Sequence, residues 1–179
     1  MPLTDTASLE RPFMRLFAPL AAAAVLAAAG AAHAQQPSPP PQLNAPASPA
    51  AVAGKAFLAK NAKAPGVVVL PSGLQYKVVT SGPAGPSPKP GDIIKVHYEG
   101  KLLDGTVFDS SFERGKPAIM PLDGLVQAWM EAVPKMKVGD EWTLYVPPEL
   151  GYGDQDNGPI PGGSVMVFRL KLVGMLSVD

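Results

Sequence analysis

Beyond residue 34 the chain holds one histidine, His97, and its full 179 residues contain no cysteine. His97 sits among polar residues on a stretch of alternating character, which puts it on the wet face of a strand. One histidine and no thiol exclude disulfides, thiolate or His-cluster metal sites and a cysteine nucleophile, and argue against a Ser-His-Asp triad. Gly151-Tyr152-Gly153 and Gly162-Gly163 fit neither a phosphate-binding loop nor a dinucleotide fingerprint. Asp154 and Asp156 lack the surrounding ligands of a calcium loop. The 15 basic and 15 acidic side chains cancel and form no basic patch, so nothing points to a nucleic-acid partner. A catalyst built from this chain works without a strong nucleophile, a metal or a cofactor.

One reaction suits that inventory. Rotation about an X–Pro bond breaks no covalent bond and is opposed by a resonance barrier of roughly 18–20 kcal/mol. The twisted amide has lost that resonance and much of its dipole. An apolar, water-poor pocket therefore disfavours the planar form relative to the twisted one. Such a pocket needs aromatic walls, one or two hydrogen-bond donors and room for a proline ring, but no titrating base. Periodicity alone reads each aromatic residue first as core packing, since buried aromatics are common.

The elements that must position such a pocket follow from residue alternation. From Leu70 onward the pattern has period two. Leu74–Val79 reads as a strand. Ile94, Val96 and Tyr98 alternate with Lys95, His97 and Glu99 within 92–103. Trp142, Leu144 and Val146 alternate with Glu141, Thr143 and Tyr145, and Met166, Phe168, Leu170 and Leu172 share one face of 164–175. One-sided alternation describes a sheet with one solvated and one buried face. Within 70–179 only 124–133 reads as a helix, with Leu125, Val126 and Trp129 at helical spacing and Pro134 limiting it. The spacing predicts an α+β fold, an antiparallel β-sheet wrapped over one short α-helix.

Upstream, Arg15 precedes an apolar run from Leu16 to Ala32 that ends in Ala32-His33-Ala34. This reads as a signal peptide over 1–34, cleaved after Ala34, and predicts a periplasmic product with no stable membrane insertion. Asp5 and Glu10 are foreign to the start of such a segment and point to Met14 as the true start. The absence of cysteine excludes a lipid-anchored lipoprotein. Residues 35–50 are rich in Pro, Gln, Ser and Ala and read as an extended linker. Residues 51–69 read as a short helical lead-in, too short to stand alone, that docks on the domain or frays. Pro65-Gly66 breaks it. The main domain then occupies 70–179.

Val96-His97-Tyr98-Glu99-Gly100 and Asp104-Gly105-Thr106-Val107-Phe108-Asp109-Ser110-Ser111 resemble the signature of FKBP-type peptidyl-prolyl cis-trans isomerases. The likeness continues through Leu125-Val126-Gln127-Ala128-Trp129, Met136-Lys137-Val138-Gly139-Asp140, Pro147-Pro148-Glu149-Leu150-Gly151-Tyr152-Gly153 and Ile160-Pro161. Several independent motifs in order leave little room for chance. The resemblance implies a cofactor-free and metal-free isomerase whose proline pocket is formed by Tyr98, Phe108, Asp109, Leu125, Val126, Trp129, Tyr152, Ile160 and Phe168. It makes Tyr98, Phe108, Asp109, Trp129 and Tyr152 catalytic, and Leu125, Val126, Ile160 and Phe168 substrate-binding. Trp129 is then the floor, Phe108 and Phe168 are walls, and Tyr152 and the Val126 N–H donate to substrate carbonyls. Asp109 is held by Tyr98 and Arg114. Proline-containing polypeptides are the implied partners, and macrolide inhibitors the implied ligands of the same cup.

Residues 57–61 and 70–76 are similar to the lead-in of exported bacterial members, which often carry a helical dimerisation domain upstream. A Pro-rich stretch stands in its place here, which implies a monomer. Ala118, Met120, Ala128 and Gly162 depart from the common family pattern and imply one more open wall. The alternative function is a binding module that holds proline-containing segments with little turnover, since fold alone does not separate the two.

Overall fold

The computed structural model describes residues 47–178. The expected leader and most of the expected linker lie outside the described residues. The described chain forms α1 (Pro49–Asn61), β1 (Val67–Val69), β2 (Gln75–Thr80), β3 (Ile93–Leu102), β4 (Val107–Ser110) and β5 (Ala118–Pro121). It continues with α2 (Gln127–Ala132), β6 (Glu141–Val146) and β7 (Met166–Leu176), with single 3-10 turns at Val133–Lys135 and Pro148–Leu150. All strand pairs are antiparallel. The sheet runs β1-β2-β6-β7-β3-β4, with β5 added to the same side of β3 as β4.

The fold is the expected one. On β6, Trp142, Leu144 and Val146 are buried while their neighbours are half-exposed. On β7, Met166, Phe168, Leu170 and Leu172 are buried between exposed Arg169 and Lys171. Their apolar face packs with Ile94 and Val96 of β3 and with Ala128, Trp129, Ala132 and Val133 around α2. Burial of these side chains from water is the main favourable term holding helix and sheet together.

Long β3 organises the site. One side pairs with β7 over its whole length. On the other, β5 takes Ile93–Val96 and β4 takes Glu99–Lys101, which leaves a gap at His97–Tyr98. Fully buried Ser111 fills it. The Tyr98 N–H donates to Ser111 Oγ at 2.7 Å, and the Ser111 N–H donates to the Tyr98 carbonyl at 2.8 Å. No backbone group of Tyr98 is left unpaired where the strands change over.

Helix α1 begins at Pro49, inside the stretch read as linker. Ser48 caps it by accepting from the Ala51 N–H at 3.1 Å, and proline suits a first-turn position. The helix docks rather than frays. Gly54 lies so close to Val165 that an added Cβ would come within 2.7 Å of Val165 Cγ2. At the helix end, Asn61 donates to Gln75 Oε1, and Gln75 Nε2 donates back to the Leu58 carbonyl, both at 2.9 Å.

Candidate functional site

A cavity of about 350 Å³ opens between β3, β4, β5, α2 and the loop carrying Tyr152. Of the nine residues expected there, eight line it: Tyr98, Phe108, Asp109, Leu125, Val126, Trp129, Tyr152 and Phe168. Ile160 does not; it is buried in the core. Met120 and Gly124 line the cavity in addition. Met120 was legible only as a departure from a family pattern. Gly124, at φ 69°, turns the chain into α2 with a backbone that other residues rarely adopt.

The cavity is built from edge-on aromatics. Trp129, 5 % exposed, meets Tyr98 at 5.2 Å and 78° and Phe168 at 5.6 Å and 84°. Phe108 stands against Phe168 at 5.7 Å and 83°. Such T-shaped contacts set the positive ring edge against the negative face and resist rotation of each ring. The two walls require the glycine at Gly100. A Cβ there would lie 2.5 Å from Phe108 Cε2 and 2.8 Å from Phe168 Cε1. Gly100→Ala should therefore displace both walls and cost about 1–3 kcal/mol, as overpacking does. Urea melts and the ring resonances of Phe108 and Phe168 check this. An unchanged melt with unmoved rings would mean that the walls do not depend on Gly100.

One polar group interrupts the apolar lining. Asp109 accepts from the Tyr98 hydroxyl and from Arg114, which also donates to the Tyr98 hydroxyl at 3.0 Å. Burial works against the Asp109 charge, but the bonds from Tyr98 and Arg114 outweigh it and hold the carboxyl below its usual range. Burial first, and then the neighbouring carboxylate, raise the Tyr98 phenol. Around neutral pH Asp109 is thus an anion and Tyr98 a proton donor to it. The Asp109–Arg114 pair is roughly half-exposed, so it orients the carboxylate more than it stabilises the fold.

Both donors expected to meet a ligand are without a partner. Among the described residues no acceptor takes the Val126 N–H, which precedes α2. The Tyr152 side chain, on a residue 42 % exposed, makes no side-chain hydrogen bond there either. His97 lies on the opposite face of β3, half-buried rather than fully solvated. Its ring stacks on Phe112 at 4.8 Å, and Arg169 covers the Phe112 ring. Two further cavities, of about 340 and 790 Å³, flank α1 and contain none of the site aromatics.

A family model described as FKBP-type peptidyl-prolyl cis-trans isomerase matches residues 85–173. A second, described as the domain amino terminal to FKBP-type peptidyl-prolyl isomerase, matches residues 17–78. The chain is 46% identical over 122 residues to peptidyl-prolyl cis-trans isomerase Mip of Coxiella burnetii, covering 68% of this chain and 53% of that protein. It is 42% identical over 123 residues to outer membrane protein MIP of Legionella longbeachae, covering 68% and 52%. The chain thus spans about half the length of these curated relatives. The crystal structure of a peptidyl-prolyl cis-trans isomerase from Pseudomonas syringae pv. tomato is similar with a TM-score of 0.68 at 31% identity, covering 75% of this chain and 98% of that one.

Proposed function

Because the chain belongs to the FKBP-type peptidyl-prolyl cis-trans isomerase family, we propose that it catalyses rotation of X–Pro bonds in exported polypeptides within the cup above Trp129. The observation that carries this reading is the aromatic cup itself, with Tyr98 and Phe168 edge-on to Trp129 and the Val126 N–H and Tyr152 hydroxyl free at its rim. The proline ring lies on Trp129 between Phe108 and Phe168. The Val126 N–H and the Tyr152 hydroxyl hold the substrate carbonyls. Leu125 and Val126 form the rim, and Ile160 supports the cup from the core. Macrolides compete for the same cup.

The chemistry moves no proton. Water is kept from the amide, so the planar form with its larger dipole is disfavoured relative to the twisted one. Asp109, fixed by Tyr98 and Arg114, keeps one charge state around neutral pH and offers a constant dipole beside the rotating bond. A protease-free assay following cis-to-trans conversion of a proline peptide tests this. Asp109→Leu should lower kcat/KM about tenfold, the worth of one charge-assisted hydrogen bond, while circular dichroism stays that of the folded domain. His97→Ala should stay within about twofold of the parent, because no acid–base step is involved. A large loss in His97→Ala, or a folded Asp109→Leu variant at full rate, would count against the mechanism.

The same proposal places the protein in the periplasm as a monomer, after cleavage behind Ala34. Arg15, the apolar run 16–32 and Ala32-His33-Ala34 support export, and one relative bears the name outer membrane protein. Among the described residues no helix is long and apolar enough to cross a membrane. The intact mass from the envelope fraction should begin at Gln35, and light scattering should give one chain per particle. A product that keeps residues 16–32, or a stable dimer mass, would overturn the corresponding part.

A further inference from the structure

Tyr152 reaches the cup from a loop, 151–163, whose ends are closed on each other by backbone. The Gly163 N–H donates to the carbonyl of Gly153, the residue after Tyr152, at 2.9 Å, and the Gly153 N–H donates to the Pro148 carbonyl at 2.8 Å. The Gly162 N–H donates to Asp156 Oδ1 at 2.7 Å. A Cβ on Gly162 would come within 2.0 Å of the Asp154 carbonyl oxygen, so the loop closes too tightly for any side chain there.

The far side of this closure rests on the start of α1. A Cβ on Gly163 would lie 2.9 Å from Ala51 Cβ and 3.0 Å from Ser48 Oγ. The Ser48 hydroxyl donates to the Gly162 carbonyl at 3.0 Å while accepting from the Ala51 N–H at 3.1 Å. One hydroxyl thus starts the helix and ties it to the loop that carries Tyr152. Gly54, pressed on Val165, gives the helix a second hold just beyond the loop.

We propose that Ser48 is a positioning residue for Tyr152, acting through Gly162, Gly163 and Gly153 to set where the Tyr152 hydroxyl meets the substrate. The inference rests on the isomerase reading. Tyr152 holds a substrate carbonyl in both the planar and the twisted form. Loosening its loop therefore raises KM and leaves kcat nearly unchanged.

Three substitutions in the full chain separate capping from tying. Ser48→Thr keeps both the donor and the acceptor. Ser48→Asp keeps the cap acceptor but has no proton for the Gly162 carbonyl. Ser48→Ala loses both. KM for a proline peptide should rise about threefold to tenfold in the Asp and Ala variants, the worth of one hydrogen bond, and return to the parent value with Thr. Amide exchange at Gly163 should quicken in the Asp and Ala variants alone, and the melting temperature should fall chiefly in Ala. An Asp variant with parental KM and parental exchange at Gly163 would reduce Ser48 to a helix cap and overturn the inference. If the parent protein shows no isomerisation, the isomerase reading fails, and exchange at Gly163 still decides whether Ser48 ties the loop.

Discussion

Replacing Phe108 with alanine is expected to lower kcat/KM about 10- to 100-fold, the worth of about 1.5–3 kcal/mol of aromatic burial against the bound proline. Phe108 is half-buried, so its removal opens the cup more than it empties the core. It also takes away the partner that holds Phe168 edge-on, and Phe168 in turn faces Trp129. Water then enters the space where the planar amide should be disfavoured. Steady-state isomerisation kinetics read the loss, and circular dichroism shows whether the domain remains folded. A folded Phe108→Ala variant at full rate would remove that wall from the account.

The second large effect is on stability. Asp140 is 2 % exposed and joins three parts of the chain. Its Oδ1 accepts from the Gly82 N–H at 2.6 Å and from Lys137 Nζ at 3.1 Å, and its Oδ2 accepts from the Lys137 N–H at 3.0 Å. Its carbonyl accepts from the Leu172 N–H of β7 at 3.0 Å. Asp140→Asn turns an amide N–H toward a donor and leaves Lys137 without its counter-charge. The expected cost is about 2–4 kcal/mol.

The pH dependence has a definite sign. Burial raises the Asp140 carboxyl, but the bonds from Gly82 and Lys137 outweigh it and hold the group below its usual value. Its contribution is complete above the unfolded value of about 3.9 and is lost as pH falls through the lower folded value. Urea melts at pH 7 and pH 3 should therefore show a smaller difference for Asp140→Asn than for the parent protein. Equal differences would mean that Asp140 does not carry this part of the acid sensitivity.

Much of this architecture was legible in residue alternation, because β3, β6 and β7 each bury one face in the core that holds α2. The short strands β1, β4 and β5 were not. Each has only three or four residues, and tertiary pairing defines them: β1 on β2, and the other two along one side of β3. Pro121 at the end of β5 further hides that strand, since proline donates no ladder bond. The docking of α1 depends on Gly54 and on the pair Asn61–Gln75, neither of which shows in an apolar pattern. At the site, motif likeness names eight of the residues that line the cavity; the ninth, Ile160, belongs to the same buried cluster as Trp129 and Phe168. The role of Gly100 is invisible in sequence, because what requires it is the proximity of two rings from other strands.

Turnover is separated from mere binding by NMR exchange spectroscopy on a short proline peptide at its cis–trans equilibrium, with a small fraction of the purified protein added. Catalysis in the cup should quicken exchange between the cis and trans signals while their ratio stays fixed, because a catalyst lowers the barrier from both sides. Peptide resonances that shift on binding while exchange remains at the uncatalysed tens to hundreds of seconds would contradict it and leave a protein that only holds its ligand.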